Sequence, residues 1–319
     1  MRSLSTVRLI ELVKRELAPG GYFTNKLKED GFTRDNLVVL FSGLRQVTDD
    51  LTRAHNAPVG TYPELEKYLI RDRERVPGMV KLTITNRDGN PTMGNGFFLQ
   101  HEGRYYLVTA RHCINGSVDA DVFISVNFPG SVEDYAFFPV DPSDVPESYK
   151  SSGVKDSHDL DGSIFAVIGE KNREVIVSYG IPVLLNRRQL EMLGATFKDV
   201  DKKTLEYVTK NPVVLVSDYF VQPDGKGYEQ AKGRSGSEVF GYDKGRHAYV
   251  PAGNLTGYIP INTSLIPSKA FFSISDASTY QKWLQITHAL SSELQPKRLS
   301  SLKTIKIEQI DPSLEIVSI

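Results

Sequence analysis

Three residues of the chain, His112, Asp161 and Ser235, have the side-chain types that nucleophilic hydrolysis requires. A serine hydroxyl is a weak nucleophile at neutral pH and needs a base within hydrogen-bond reach. Imidazole suits that task because its unperturbed pKa is about 6.5, so it can take and return a proton near neutrality. A buried carboxylate fixes the imidazole tautomer and stabilises the imidazolium that forms. Together the three predict acyl transfer through a covalent intermediate.

The sequence around the serine supplies a second requirement, a place for the negative oxygen. Ser235 lies in Gly-Arg-Ser-Gly-Ser, and Gly233 lets the backbone turn so that the amides of Gly233 and Ser235 can point into one oxyanion hole. One such donor is typically worth about 3 kcal/mol in the transition state. By itself this motif is usually a turn, and a lone histidine or an aspartate before glycine is usually structural. The prediction therefore depends on their joint occurrence, in which Asp159 remains an alternative to Asp161.

These segments resemble the trypsin-like serine peptidases of the chymotrypsin fold. That family has its histidine in a Thr-Ala-Ala-His-Cys-like segment, its aspartate in an Asp-Ile-Ala-Leu-Leu-like strand and its serine in Gly-Asp-Ser-Gly-Gly. The order His, Asp, Ser also matches, whereas α/β-hydrolases and subtilisins use other orders. The resemblance covers roughly residues 78–292. It implies a mainly β protein with a chymotrypsin-like double antiparallel β-barrel, the triad between the barrels, and a serine endopeptidase activity.

The sequence departs from the family pattern at several positions near the serine. Arg234 replaces the aspartate that pairs with a newly cut N-terminus in the family, so activation by that ion pair is not expected. Glu238 is unusual and could alter the loop beyond the nucleophile. The resemblance places Glu229 at the base of the primary pocket, where a carboxylate would favour Lys or Arg in the substrate; an exposed loop position is the alternative. The far side of that pocket would be formed by Tyr258, Ile259 and Pro260.

The hydrophobic pattern divides the chain into three parts. The pattern predicts helices in residues 1–76: a first one near residues 4–17, a second one starting near Thr33 and Asp35, and a shorter third one over residues 62–73. Residues 77–295, the peptidase domain, show many short strands, among them a hairpin across Glu102-Gly103, and end in a C-terminal helix. The tail, residues 296–319, has one alternating run over 302–310 that predicts an extra strand.

Composition limits the function classes. The chain has 319 residues, 38 basic and 39 acidic, for a net charge of -1, which argues against a nucleic-acid partner. The single cysteine, Cys113, cannot form an intramolecular disulfide, which favours a reducing, cytoplasmic setting. No apolar stretch predicts a membrane helix or a signal peptide. No metal or organic cofactor is implied, and the expected partner is a protein or peptide substrate.

Two alternatives stay open at the level of sequence. The chain could be a catalytically silent or latent peptidase-fold protein that serves as a binding or scaffold module. Residues 1–76 could recruit a protein partner as an adaptor, or they could be a packing extension on the barrel surface.

Overall fold

In the part of the chain that the computed structural model describes, the strands form two β-sheets and there are few helices. The structure describes residues 34–71, 78–124, 134–147, 149, 164–183, 213–216, 233–243, 245, 247–255, 258–260, 270–273, 284–290, 292–311 and 313–318. The prediction of a mainly β protein with an N-terminal helix and a C-terminal helix is confirmed for these residues, whose two sheets are largely antiparallel, while the closure of each sheet into a barrel stays a prediction. The first predicted helix, near residues 4–17, lies outside them.

The first sheet includes the strand that leads to His112. Its strands are β1 (Met79–Thr85), β2 (Pro91–His101), β3 (Arg104–Ala110), β4 (Tyr135–Val140) and, from the tail, β12 (Ile305–Gln309), in the order β12-β1-β2-β3-β4. All neighbours are antiparallel. The predicted β2–β3 hairpin is confirmed: it turns at Glu102 (φ 47°) and Gly103 (φ 75°), two positive values that suit the twist of a two-residue connection.

The second sheet includes the strand that follows Ser235. Its strands are β5 (Phe165–Lys171), β6 (Glu174–Val183), β7 (Val213–Val216), β8 (Glu238–Asp243), β9 (Ala248–Asn254), β10 (Tyr258–Pro260), β11 (Ala270–Ser273) and β13 (Ile316–Ser318). The order is β10-β11-β7-β6-β5-β8-β9, with β13 pairing to β6 in parallel. β5 lies between β6 and β8, and β8 follows the serine loop.

Residues 34–70 pack against the second sheet. Helix α1 (Arg34–Asn56) buries Val47 and Leu51 and lies against β6 and β13. After it the chain forms only a short 3₁₀ turn, Glu66–Tyr68. The helix predicted over residues 62–73 is therefore wrong for the described part of that range, because backbone beyond the turn is extended at Leu69.

One buried hydroxyl fastens this segment to β6. The Ile70 amide donates to the Tyr179 hydroxyl oxygen (2.7 Å), and the same hydroxyl lies 2.7 Å from Nδ1 of His55. Nearby, the Tyr249 hydroxyl donates to the Tyr68 carbonyl (2.8 Å). Burial, and secondarily the charge of Arg71, lowers the pKa of His55 to about 4. The described part of the N-terminal segment thus packs on the second sheet, while its use as an adaptor stays a prediction.

The tail joins both sheets. The run predicted as an extra strand contains β12, which pairs with β1, and β13 further along pairs with β6. The Asp119 carboxylate fixes the entry to β12 by accepting hydrogen bonds from the backbone amides of Lys303, Thr304 and Ile305. None of the described helices is both long and apolar enough to span a membrane.

Candidate active site

His112 lies just beyond the end of β3, in the short helix α2 (Arg111–Ile114). Its strand is fixed from the neighbouring β2, because the buried Thr109 hydroxyl donates to the Asn95 carbonyl oxygen (2.7 Å). The His112 side chain is 46% exposed, so its ring is open to solvent on one side. A base in this position can meet a substrate that approaches from outside.

The carboxylate that contacts His112 belongs to Asp134. Its Oδ2 is hydrogen-bonded to His112 Nδ1, and its Oδ1 accepts a hydrogen bond from the His112 backbone amide (2.8 Å). The Asp134 carbonyl also accepts from the Arg111 amide (2.9 Å). These contacts follow from strand register: β4 begins at Tyr135, opposite Ala110, so the residue before β4 reaches the residues after β3.

Electrostatics at the imidazole favour the protonated form. Burial lowers the pKa of His112, but hydrogen bonds to Asp134 and Cys113, with the charges of both groups, outweigh burial and raise it to about 10. The bond to Asp134 occupies the Nδ1 side of the ring, so proton exchange with a reacting group would go through Nε2, which contacts the Cys113 sulfur (3.7 Å).

Asp161, the predicted triad aspartate, lies outside the described residues, as does the alternative Asp159. The strand that follows them, β5, belongs to the second sheet, whereas His112 follows a strand of the first. Sequence reasoning missed Asp134, although a signal existed: Asp-Tyr-Ala-Phe-Phe at residues 134–138 fits the Asp-Ile-Ala-Leu-Leu-like pattern of the resembled family.

The serine loop is built on two glycines with positive φ. Gly233 has φ +88° and Gly236 has φ +85°, values that disfavour any other residue. A Cβ on Gly236 would also overlap the backbone carbonyl oxygen of Asn95. The loop closes on itself where the Ser237 amide donates to the Arg234 carbonyl (3.0 Å). Ser235 is half-buried at the tip, whereas the neighbouring Ser237 is fully buried and inaccessible as a nucleophile.

The structure brings the histidine and the serine loop to the same place. The Cys113 sulfur lies 3.7 Å from His112 Nε2 and 3.9 Å from the Ser235 carbonyl oxygen. Among the described residues no hydrogen bond joins His112 to the Ser235 hydroxyl. Such contacts are often long without substrate and tighten in the reacting complex. The predicted pair of His112 and Ser235 is thus adjacent through the side chain of Cys113.

The oxyanion donors predicted at Gly233 and Ser235 have backbone amides that make no hydrogen bond within the described part of the chain. Of the predicted pocket residues, Tyr258, Ile259 and Pro260 form β10, which pairs with β11. Glu229 lies outside the described residues. The described residues contain no group of three or more His, Cys, Asp or Glu side chains that could hold a metal ion.

Arg234 points away from the site and into the second sheet. Its side chain is fully buried; Nη1 donates to the Ser178 hydroxyl (2.9 Å) and Nη2 to the Val167 carbonyl (3.1 Å). The residue before Ser235 therefore anchors the loop to β5 and β6.

Several solved structures are similar to the chain. They include a collagenase (14% identity, 68% of this chain and 95% of that chain, TM-score 0.43) and an HtrA-type protease with a tripeptide (15% identity, 66% and 60%, TM-score 0.36). A serine protease of a human pathogenic astrovirus is also similar (14% identity, 63% and 91%, TM-score 0.32). These neighbours are chymotrypsin-fold serine proteases. At such identities and TM-scores they carry no argument about activity. No protein-family model and no curated protein matches the sequence.

Proposed function

We propose that the chain is a serine endopeptidase in which Ser235 is the nucleophile, His112 the general base and Asp134 the carboxylate that orients it. The observation that carries the proposal is the pairing of Asp134 with both the Nδ1 atom and the backbone amide of His112. That pairing is what a catalytic imidazole needs to present Nε2 to a hydroxyl. The serine loop next to it, with two uncommitted amides, supplies the remaining parts.

The proposed reaction has two halves. His112 Nε2 takes the Ser235 hydroxyl proton while the oxygen attacks the peptide carbonyl carbon. The amides of Gly233 and Ser235 donate to the resulting oxyanion. His112 then gives its proton to the leaving amine as the C–N bond breaks, which leaves an acyl-enzyme. A water molecule, deprotonated by the same nitrogen, hydrolyses the ester and restores the serine hydroxyl.

Asp134 replaces Asp161 in this proposal for a geometric reason. One Nδ1 atom carries one proton, and Asp134 already accepts it. Substrate choice is a further prediction: Glu229 would favour Lys or Arg in the substrate, and a peptide would lie along β10 by strand addition. The cytoplasmic setting follows from the single cysteine alone and remains a proposal of the same kind.

Labelling by a fluorophosphonate and cleavage of a peptide library test the proposal together. Ser235→Ala should abolish both, and His112→Ala should reduce both severely. Asp134→Asn should lower kcat by about 10³- to 10⁴-fold, the scale seen when a triad aspartate is neutralised. Asp161→Asn is the matched control and should leave the rate within a few-fold of wild type.

Each other outcome assigns the site differently. A severe loss in Asp161→Asn together with an unaffected Asp134→Asn would return the carboxylate role to Asp161. Folded wild-type protein that neither labels nor cleaves would reject the peptidase proposal and favour the binding or scaffold module. Purified Ser235→Ala that keeps full activity would reject the nucleophile.

A further inference from the structure

Asn95 touches the serine loop at two points, from the opposite sheet. It lies in the middle of β2 and is 1% exposed. Its backbone amide donates to the Ser235 carbonyl (2.8 Å), and its side-chain Nδ2 donates to the Gly233 carbonyl (2.9 Å). One residue of the first sheet thus binds the carbonyls on both sides of Arg234.

The Asn95 side chain is itself fixed by the second sheet. Its Oδ1 accepts from the Glu170 backbone amide (2.9 Å), and its Nδ2 also lies 3.3 Å from the Glu170 carbonyl. If the Asn95 side-chain amide were flipped, Oδ1 would face the carbonyl oxygens of Gly233 and Glu170, and Nδ2 would face the Glu170 N–H. The network therefore admits one orientation of the amide, the one that donates to Gly233.

The residues that it holds are the ones whose amides the proposed reaction uses. Gly233, at φ +88°, has no side chain to restrict its rotation, so its peptide groups need an external partner. The carbonyls of Gly233 and Ser235 are committed to Asn95, while the amides of the same two residues are uncommitted among the described residues. On the other side of the loop, Arg234 is anchored in β5 and β6.

We infer that Asn95 is a positioning residue for the oxyanion donors, which holds the Gly233–Ser235 turn in the conformation where both amides are available to substrate. The inference rests on the proposed peptidase function. It concerns the side-chain amide in particular, because any residue at position 95 would retain the backbone bond to Ser235.

The test compares Asn95→Ala with Glu170→Gln. The control variant keeps the Glu170 backbone groups that bind Asn95 and weakens a different link between the same sheets, the contact of the Glu170 carboxylate with Lys81 Nζ (2.9 Å). Asn95→Ala should lower kcat and the fluorophosphonate labelling rate by about 10- to 100-fold, less than the 10² to 10³ for deleting a donor itself. KM should stay within about two-fold of wild type, and the pH at half-maximal kcat/KM within about 0.3 units, because the Asn95 amide is buried and its hydrogen bonds go to Gly233 and Glu170, not to His112. Glu170→Gln should keep the wild-type rate.

The outcomes separate this inference from the function beneath it. Wild type that does not label rejects the peptidase proposal itself. Wild type that labels, with a folded Asn95→Ala that labels equally fast, overturns the positioning role alone. Equal losses in Asn95→Ala and Glu170→Gln also overturn it, since general weakening of the sheet contact would explain both. If Asn95→Ala does not fold, Asn95→Ser is measured under the same criteria.

Discussion

The stability of the protein should fall steeply with acid because of one buried histidine, His55. The Ile70 amide donates to the Tyr179 hydroxyl oxygen, so the hydroxyl proton is available for His55 Nδ1. That arrangement needs a neutral imidazole with an unprotonated Nδ1. Protonation would put a second donor in place of the acceptor, in a buried site near the positive charge of Arg71.

The size of the effect follows from the pKa. Burial and Arg71 lower the pKa of His55 from 6.5 to about 4. Between those two pH values the unfolded chain binds a proton that the folded chain does not, so the free energy of unfolding falls as pH falls. At 1.36 kcal/mol per pH unit, the total loss is about 3 kcal/mol, spread from pH 6.5 to pH 4. Below pH 4 both states are protonated and this contribution stops changing.

Urea unfolding of wild type and His55→Asn at pH 7, 6, 5 and 4 measures this loss. Asparagine keeps an acceptor near the Tyr179 hydroxyl and does not titrate. We expect the variant to lose about 3 kcal/mol less than wild type between pH 7 and 4, whatever its stability at pH 7. His247→Asn, at an exposed turn with φ 49°, should follow wild type. Parallel curves for wild type and His55→Asn would refute the reasoning.

Two further predictions concern the site. Because Asp134 and Cys113 raise the pKa of His112 to about 10, kcat/KM should rise with pH and reach half its maximum well above pH 6.5. Asp134→Asn should move that midpoint to lower pH. An unchanged midpoint would contradict the assignment of Asp134 as the carboxylate that orients His112. Gly236→Ala should lower the free energy of unfolding in urea clearly more than Gly89→Ala does. Gly89 has a similar positive φ but open space around it, so its replacement should cost about 1–2 kcal/mol. Equal losses would show that the overlap of the new Cβ with the Asn95 carbonyl oxygen is relieved at no cost.

Local patterns in the sequence were sufficient to predict the parts of the site that depend on nearby residues. The β2–β3 hairpin follows from a short turn between two apolar runs, and it delivers His112 to the end of β3. The serine loop follows from Gly-x-Ser-Gly, because positive φ at Gly233 and Gly236 is a local requirement of the backbone.

The carboxylate could not be identified in the same way. Asp134 is followed by Tyr-Ala-Phe-Phe and Asp161 by Gly-Ser-Ile-Phe, so the local sequence offers two candidates for the aspartate. What separates them is which strand pairs with β3, and that is a long-range property: β4 does, while β5 pairs with β6 and β8. The role of Asn95 was hidden for the same reason, since its partners lie 75 and 138 residues away.

The boundary predicted near residue 76 falls among residues outside the described ranges, and the described residues before and after it pack against each other. The buried face of α1 covers β6, and hydroxyls of Tyr179 and Tyr249 bond to groups on the N-terminal side. At the other end of the chain, Asn56 Nδ2 donates to the Ser318 carbonyl (3.0 Å). This bond joins α1 to β13, and both elements also contact β6. Removing residues 1–76 would expose that face and take away the hydrogen bonds that the Tyr179 and Tyr249 hydroxyls make to the N-terminal segment, which would cost stability. An adaptor role is therefore better probed by substitutions at the exposed positions Gln46 and Arg53 of α1, made one at a time because both side chains donate to the buried Asp50 carboxylate.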